Sequence, residues 1–461
     1  MTASSGANLM TQSTTKSINY PAAFDAFQQN RGADGPAWLR NLGDQAWSRF
    51  TQLGFPTARR GNEKWKYTNV APIARAAFGY SWDLNPDEDL VANDLQEIAP
   101  PEKGWVNVVF VDGRFSKKLS TMPETANGVR VTSLAEAIKY DGNVVQQHLA
   151  EHAGFEEDGF TALNTAFLSD GAFVHVSESH VSSAPVHLVF VTTERGLPRV
   201  SYPRTLIVAE ENSGITVVET YCGPPGAEYF TNAVTEISVG DGAQVNHYRL
   251  LLESPQSFHV GTSRVRQGRD SAFTSGSFIL GTALARNDFQ VLLDGPGGSS
   301  VLNGLYLTGD NQHVDNLISI DHAKPNTSSR LNYKGILDGK SRAVFGGQVL
   351  VRKDAQKADA QQSDKNLLLS DQAEVDSKPS LLIYADDVKC GHGATAGHVD
   401  EDSLFYLRSR GLTPEIASRM LIHAFAREII ETVSLEPLRE YLDRLFMQAI
   451  PATVLRFGGE E

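Results

Sequence analysis

Cysteine is almost missing: the 461 residues hold two, Cys222 and Cys390. Two thiols so far apart cannot form a disulfide framework. In a reducing compartment each is a small buried apolar residue or a reactive ligand. Basic charge is also in deficit. Lys and Arg total 41 against 55 Asp and Glu, a net charge of −14, which excludes a broad cationic face for nucleic acid. No run of about eighteen apolar residues occurs, so no membrane span is expected. The segment Met1 to Lys16 is polar and lacks the basic start and apolar stretch of a secretory signal. The expectation is a disordered tail over 1–19 and a cytoplasmic protein.

Catalytic signatures are missing too. No Gly-x-Ser-x-Gly elbow and no His-Glu-x-x-His zinc motif is present. Gly335-Ile336-Leu337-Asp338-Gly339-Lys340-Ser341 superficially resembles a phosphate loop. It places three residues between its glycines where the loop needs four, and no strong helical pattern follows. It reads as a solvent-facing turn. Gly295, Gly297 and Gly298 do not match the dinucleotide spacing and read as a corner. His247, His259, His313 and His322 show no metal spacing and read as structural.

What is present divides into three stretches. From 20 to 80, Trp38, Leu39, Leu42, Trp47, Phe50 and Leu53 recur at roughly helical spacing until Gly54 and Pro56. Pro72 and Pro86 mark loops. Val106 to Val111 reads as a strand, and Asp112-Gly113 as a tight hairpin turn leading to Arg114 and Phe115. Helical patterning is expected to return from about 130 to 168, through Leu134, Ala137, Ile138, Val144, Val145 and Leu149. Thereafter, to about residue 400, short Val-, Ile-, Phe-, Tyr- and Thr-rich runs alternate with Gly, Asp, Asn and Ser.

Within that region turn formers sit at Gly214, Gly242, Asp270, Gly298 and Asn326, each 28 residues from the last. Val217, Val245, Phe273 and Val301 follow the first four by three positions, and Ser329 breaks the pattern. Such a period indicates stacked supersecondary units with a continuous core. A β-solenoid and an antiparallel meander both remain open on this spacing. The end turns helical. Thr413-Pro414-Glu415 is a capped helix start. Ile416, Met420 and Ala424, with Leu421 and Ile429, are expected to form its apolar face. A second helix opens at Pro437 and carries Leu438, Tyr441, Leu442, Leu445 and Phe446.

The chemistry concentrates in Lys389-Cys390-Gly391-His392-Gly393. Thiolate and imidazole both ligate iron or zinc. In an extended strand, residues two apart point to one face, and the glycines allow close backbone approach. A partly buried Cys and a surface His on a Gly-rich turn is the plainer alternative. An iron–sulfur cluster takes about four protein ligands, mostly thiolates. Two distant cysteines cannot supply them, so any cluster must be completed by a neighbouring chain, sulfide or small molecules.

The segment Tyr384 to Gly411, YADDVKCGHGATAGHVDEDSLFYLRSRG, closely resembles the hallmark of the SufB/SufD family. Leu421 to Ile430 (LIHAFAREII), Ser341 to Phe345 (SRAVF), Gln361 to Pro379 (QQSDKNLLLSDQAEVDSKP) and Asn62 to Thr68 (NEKWKYT) are similar to other parts of its pattern. The resemblance covers nearly all the chain beyond the first twenty residues. It is nearer to the SufD branch, because Glu219-Thr220-Tyr221-Cys222-Gly223-Pro224 departs from the Gly-Cys-Thr-Ala-Pro motif of SufB-type chains. Cys222 stays unassigned.

The resemblance implies a mostly β protein. A right-handed parallel β-helix over 169–400 would lie between a helical or mixed domain at 20–168 and a helical domain at 401–461. It implies a non-catalytic scaffold subunit of the SufBCD complex. SufB would pair with the end of the β-helix, and the SufC ATPase would dock on the C-terminal helices, about 412–450. Cys390 and His392 become candidate donors to a transient iron–sulfur cluster shared with SufB, with none held stably by this chain alone. The histidine is the better-supported of the two in that family. ATP-driven movement of SufC would open or rearrange the shared interface. The alternatives are a SufB-type cluster-holding paralogue and a β-helical carbohydrate-active enzyme, although the latter's secretion signal and clear carboxylate pair are missing.

Overall fold

The computed structural model describes residues 20–31, 35–80, 103–122, 128–194 and 198–451. The expected tail at 1–19 and the loop at Pro86 lie outside them.

From Gly214 onward the chain alternates between two sheets, giving one strand to each in every turn. The first sheet runs, in spatial order, 114–121, 106–111, 186–191, 214–222, 244–253, 272–281, 299–308, 328–337, 359–368 and 389–397. The second runs 129–133, 171–176, 204–209, 229–239, 258–267, 284–293, 313–322, 342–351 and 374–377, with 380–383 also on 342–351 and 199–201 also on 229–239. Each strand-to-strand ladder is parallel except 106–111 with 114–121 and 129–133 with 171–176. The result is a parallel β-helix, and the meander alternative falls. Strands buried on both faces need the long β-branched runs seen here, such as Val186–Val191 and Arg204–Ala209.

The corners explain the recurrence in the sequence. Asn212, Gly242, Asp270, Gly297 and Asn326 all take left-handed φ, between 52° and 76°. Each donates its backbone N–H to a carbonyl of the next corner, as Asn212 does to Asp241 and Asn326 to Gln356. Asn, Asp and Gly are the residues that visit this conformation cheaply. A Cβ at Gly242 would also meet Asn212 Oδ1 at 2.3 Å. The constant step of 28 is therefore corrected. Gly214 opens a strand, and Gly298 follows the left-handed Gly297 within its corner. Val217 pairs with His247, and Val301 with Thr274. Turns gain or lose a residue at the corners, so a fixed step slides off the true register.

The expected hairpin is present, with Phe110 opposite Phe115 and Val111 opposite Arg114. The segment 130–168 departs from expectation at its start. Val129–Ser133 is a strand, as its alternating β-branched residues favour. Ser133 then caps helix 134–140 by accepting from the Glu136 N–H at 3.1 Å.

Helices cover both outer faces of the shaft. On the second sheet, helices 20–31, 37–53 and 159–166 build an aromatic layer in which Phe24 stacks on Trp47 at 4.5 Å. Phe230, Val260 and Leu284 complete it from the sheet. The segment Asn62 to Thr68 is pinned there by charge. Lys64 contacts Asp288 at 2.7 Å and Asp158 at 3.1 Å, and the Arg286 guanidinium lies 3.8 Å from the Trp65 ring centre. On the first sheet, helices 401–409, 414–430 and 436–449 pack Ile422, Ala426, Ile429, Leu442 and Phe446 over Tyr248, Leu250, Phe278, Leu305 and Ile336. Thr413 caps the middle helix as expected, through Ile416 N–H. Its buried face is Ala417, Ile422, Ala426, Ile429 and Ile430. The expected stripe of Ile416, Met420 and Ala424 instead faces outward, because the helix has apolar residues on two sides. Among the described residues no helix is long and apolar enough to cross a membrane.

Candidate functional site

Parallel pairing in register stacks like positions above one another, so the interior of the shaft is a set of columns. In the first sheet one column runs Ile215, Val245, Phe273, Ser300, Ser329, Ala360, Cys390. The next runs Val217, His247, Ser275, Leu302, Leu331, Gln362, His392. Cys390 and His392 thus close two interior columns. Strand 389–397 pairs only with 359–368, and its other edge meets no strand among the described residues. The period-two rule puts both donors on one face. The open edge leaves His392 exposed and Cys390 partly covered.

The Cys390 side chain packs on the cluster of Val349, Val351, Ala355 and Ala360. Burial raises its pKa, against a backbone hydrogen bond from the Ala360 position. A thiol so placed needs a metal or a nearby cation to become the thiolate that ligates iron. His398, the other nearby imidazole, turns to the Leu368 carbonyl at 2.9 Å and does not join the pair. The rim beside the pair is apolar and exposed: Leu382 at 40%, Ile383 at 41% and Tyr384 at 64%.

The other cysteine is remote. Cys222 lies six strand positions down the first sheet, ~29 Å at the usual strand spacing. It is buried among Val109, Val111, Val189 and Val191, and burial drives its pKa far up. The β-region histidines are held within the fold. His322 is fixed by Thr327 and Ser329, each at 2.8 Å, and His313 by Thr68 at 3.1 Å. His259 contacts Glu253 at 2.8 Å, and His247 faces Glu219 at 3.6 Å. Of the 335–341 segment, Gly335, Ile336 and Leu337 end a strand and are buried, and only 338–341 form the turn, with Gly339 at φ 61°.

Sequence reasoning missed what lies beneath the pair. Gln362, Asp364 and Asn366 point inward one layer below, all buried. Asp364 Oδ2 accepts from Ser377 Oγ at 2.6 Å and from Asn366 Nδ2 at 2.8 Å. Asn366 Oδ1 accepts from the Tyr306 hydroxyl at 2.5 Å. Burial outweighs those bonds and pushes the Asp364 carboxyl up to about 6. The available signal was a run of polar residues at i, i+2 and i+4 in a strand whose other layers are largely apolar.

Among the described residues no group of three or more His, Cys, Asp or Glu is assembled to hold a metal ion. The end of the shaft offers one thiol and one imidazole on an unpaired strand edge. The fold and this pair define a class: a parallel β-helix that presents a thiol and an imidazole at its open end. The chain belongs to the SufBD family. The family model described as "SUF system FeS cluster assembly, SufBD core domain" matches residues 190–425, and that of the SufBD protein N-terminal region matches 14–188. A SufBD family iron–sulfur cluster assembly protein of Synechocystis is 32% identical over 82% of this chain and 84% of its own length. The iron–sulfur cluster assembly proteins SufD of Escherichia coli and Bacillus subtilis are 31% and 26% identical, each over 88% of this chain and 93% of its own length. The chain is an iron–sulfur cluster assembly protein of that family.

Proposed function

We propose that this chain is the SufD-type scaffold subunit of a SufBCD complex, that it performs no catalysis itself, and that a nascent cluster forms where its open end meets SufB. The observation that carries this is the position of Cys390 and His392 at the last rungs of two interior columns, on an edge that lacks a pairing strand among the described residues. An unpaired edge beside exposed Leu382, Ile383 and Tyr384 is a template for a second sheet. Two soft donors fall short of a cluster's needs, and a β-helical partner stacking there would supply the rest. Iron and sulfide are then cargo, and the imidazole and thiol of this chain hold one side of it.

The C-terminal helices fit docking of the SufC ATPase. Phe405 (72% exposed), Tyr406 (56%), Ile416 (49%) and Met420 (48%) face away from the shaft, while the opposite helix faces are buried against the sheet. Movement of a docked ATPase would reach the first sheet through that packed face. We place the working protein in the cytoplasm, where thiols stay reduced.

The test is co-expression with the SufB-type and SufC-type proteins of the same organism, followed by co-purification and by iron, sulfide and ATPase assays. The isolated chain is expected to hydrolyse no ATP and to hold little iron. His392→Ala is expected to leave the complex assembled and to lower cluster yield at least tenfold. A normal yield from that variant removes His392 from the mechanism, and a purified chain holding a full cluster by itself defeats the shared-site reading.

A further inference from the structure

The interior of the shaft carries several buried carboxylates, and their surroundings differ at one of them. Glu219 and Asp364 occupy the same column, which runs Glu219, Arg249, Ser277, Gly304, Tyr333, Asp364, Ala394. Glu219 is wholly buried. Burial pushes its pKa up, but His247 and the Arg249 charge one layer on hold it net below the ordinary value. Thr235 and Tyr221 hydroxyls donate to it as well. Glu236, in the second sheet, meets the Arg204 guanidinium at 2.5 Å. In these turns a buried carboxylate is answered by a cation.

Asp364 is as buried as Glu219, at 0% exposure. Its Oδ2 is satisfied by Ser377 and Asn366, but Oδ1 meets no donor. Gln362 Oε1, two residues earlier on the same face, is also buried without a donor. The layer above holds only alanine in this column and its neighbour, Ala394 and Ala396, both exposed. That layer is half-built: the first sheet supplies 389–397, while among the described residues no strand of the second sheet stacks on 374–383. Two unsatisfied buried acceptors lie in the layer below the half-built one, under Ala394 and His392.

We propose that Asp364 is a docking residue, and that its free oxygen receives a cationic side chain inserted by the partner β-helix opposite Ala394. This rests on the reading that the open end pairs with a second β-helical chain. The occupant is an arginine or lysine on the strand that completes the half-layer, reaching Asp364 from across the shaft interior, since Ala394 already fills the rung that Arg249 fills above Glu219. Arginine fits better, because its fork of donors reaches Asp364 Oδ1 and Gln362 Oε1 together. Ala394 and Ala396 above it are small and exposed, but Asp364 has no exposed surface in the isolated chain, so insertion must displace the cover over its free oxygen. The ion pair would sit beside His392 and so fix the register of the two chains where the donors meet.

The experiment measures association of the isolated wild-type chain and of Asp364→Asn with the SufB-type partner of the same organism. Circular dichroism and thermal melting of each isolated chain serve as the folding control. Asp364→Asn is expected to melt at or above the wild-type temperature and to bind at least tenfold more weakly. Binding within twofold of wild type overturns the proposal. If the variant misfolds, isotope-edited infrared spectra of the wild type decide. A protonated carboxyl band at mildly acid pH that disappears when the partner binds supports the ion pair, and one that persists defeats it. Loss of the band on adding ferrous iron alone assigns the free oxygen to a metal and also defeats the proposal. Failure of the wild-type chain itself to bind points instead to the pairing reading.

Discussion

The middle turns of the shaft and its last turn are made by the same rule and end in opposite states. In the middle, every strand has two neighbours, its inner face is packed and part of its outer face is covered by helices. At 389–397 one neighbour is missing and most of the strand is exposed. The two cysteines mark the contrast: Cys222 is 1% exposed in a covered turn, and Cys390 sits partly open on the last strand. The same residue type is structural in one place and a candidate ligand in the other, because the stack stops. Chemistry here follows from where repetition ends.

The thiols give the widest expected separation between the two regions. In the isolated chain Cys390 should react with an alkylating reagent under native conditions, slowed because burial raises its pKa. Cys222 can react only through opening of a buried turn, which costs much of the folding free energy and slows labelling by at least ~10³-fold. Mass spectrometry of labelled peptides over time checks this. Comparable rates at the two sites would mean that the covered turns open as freely as the end. On adding the SufB-type partner, Cys390 labelling is expected to fall.

A packing comparison comes next in size. Ile320 is fully buried in the second sheet, and Ile383 ends the adjacent interior column at 41% exposure. Ile320→Ala should cost about 2–5 kcal/mol by denaturant unfolding, from lost burial plus the cavity left in a close-packed layer. Ile383→Ala should cost under about 1 kcal/mol in the isolated chain, because the site can collapse and much of its side chain is already in water. Its effect should appear on association with the partner. A large stability loss at Ile383 would show that the end is closed within the chain itself.

How much of this was legible beforehand follows the same divide. Repetition is a sequence property, so stacked β-units and the placing of Cys390 and His392 on one face could be read from alternation and turn formers, while the choice of a parallel β-helix over a meander came from the family resemblance. The step of 28 failed where corners differ in length, since the two extra residues between Asn212 and Gly242 change register without changing the pattern of residue types. The stripe Ile416, Met420 and Ala424 is apolar in sequence and exposed in the fold. Which side of a two-faced helix is buried depends on what it meets, here the Tyr248, Phe278 and Ile336 face of the sheet. Asp364 was invisible for a related reason. In a strand read alone, Gln362, Asp364 and Asn366 look solvent-facing, and only the stacking of Ser377 and Tyr306 around them makes that face interior.

The smallest effect expected is also the one that sets the two buried carboxylates apart. Glu236 is held below its ordinary pKa: burial raises it, and Arg204 with the Ala150 and Ala153 amides more than offsets that. Its contribution to stability is present above the unfolded-state value and is lost as pH falls through the folded one. Asp364 has the opposite sign. Its folded pKa, about 6, lies above the unfolded value of roughly 3.9, so ionising it opposes folding. The penalty is absent below about pH 3, is still small at pH 4 and is fully developed by about pH 7. Asp364→Asn in the isolated chain should therefore stabilise by about 1 kcal/mol at pH 7, less than the pKa difference alone allows because the new amide lacks an acceptor. At pH 4 most of the ionisation penalty is gone and the amide's cost remains, so the gain should be lost and the variant should be the less stable of the two. Urea unfolding at the two pH values checks this: a variant less stable than wild type at pH 7 would mean that Asp364 already has a cation within its own chain, and that the last turn is no different from the ones below it.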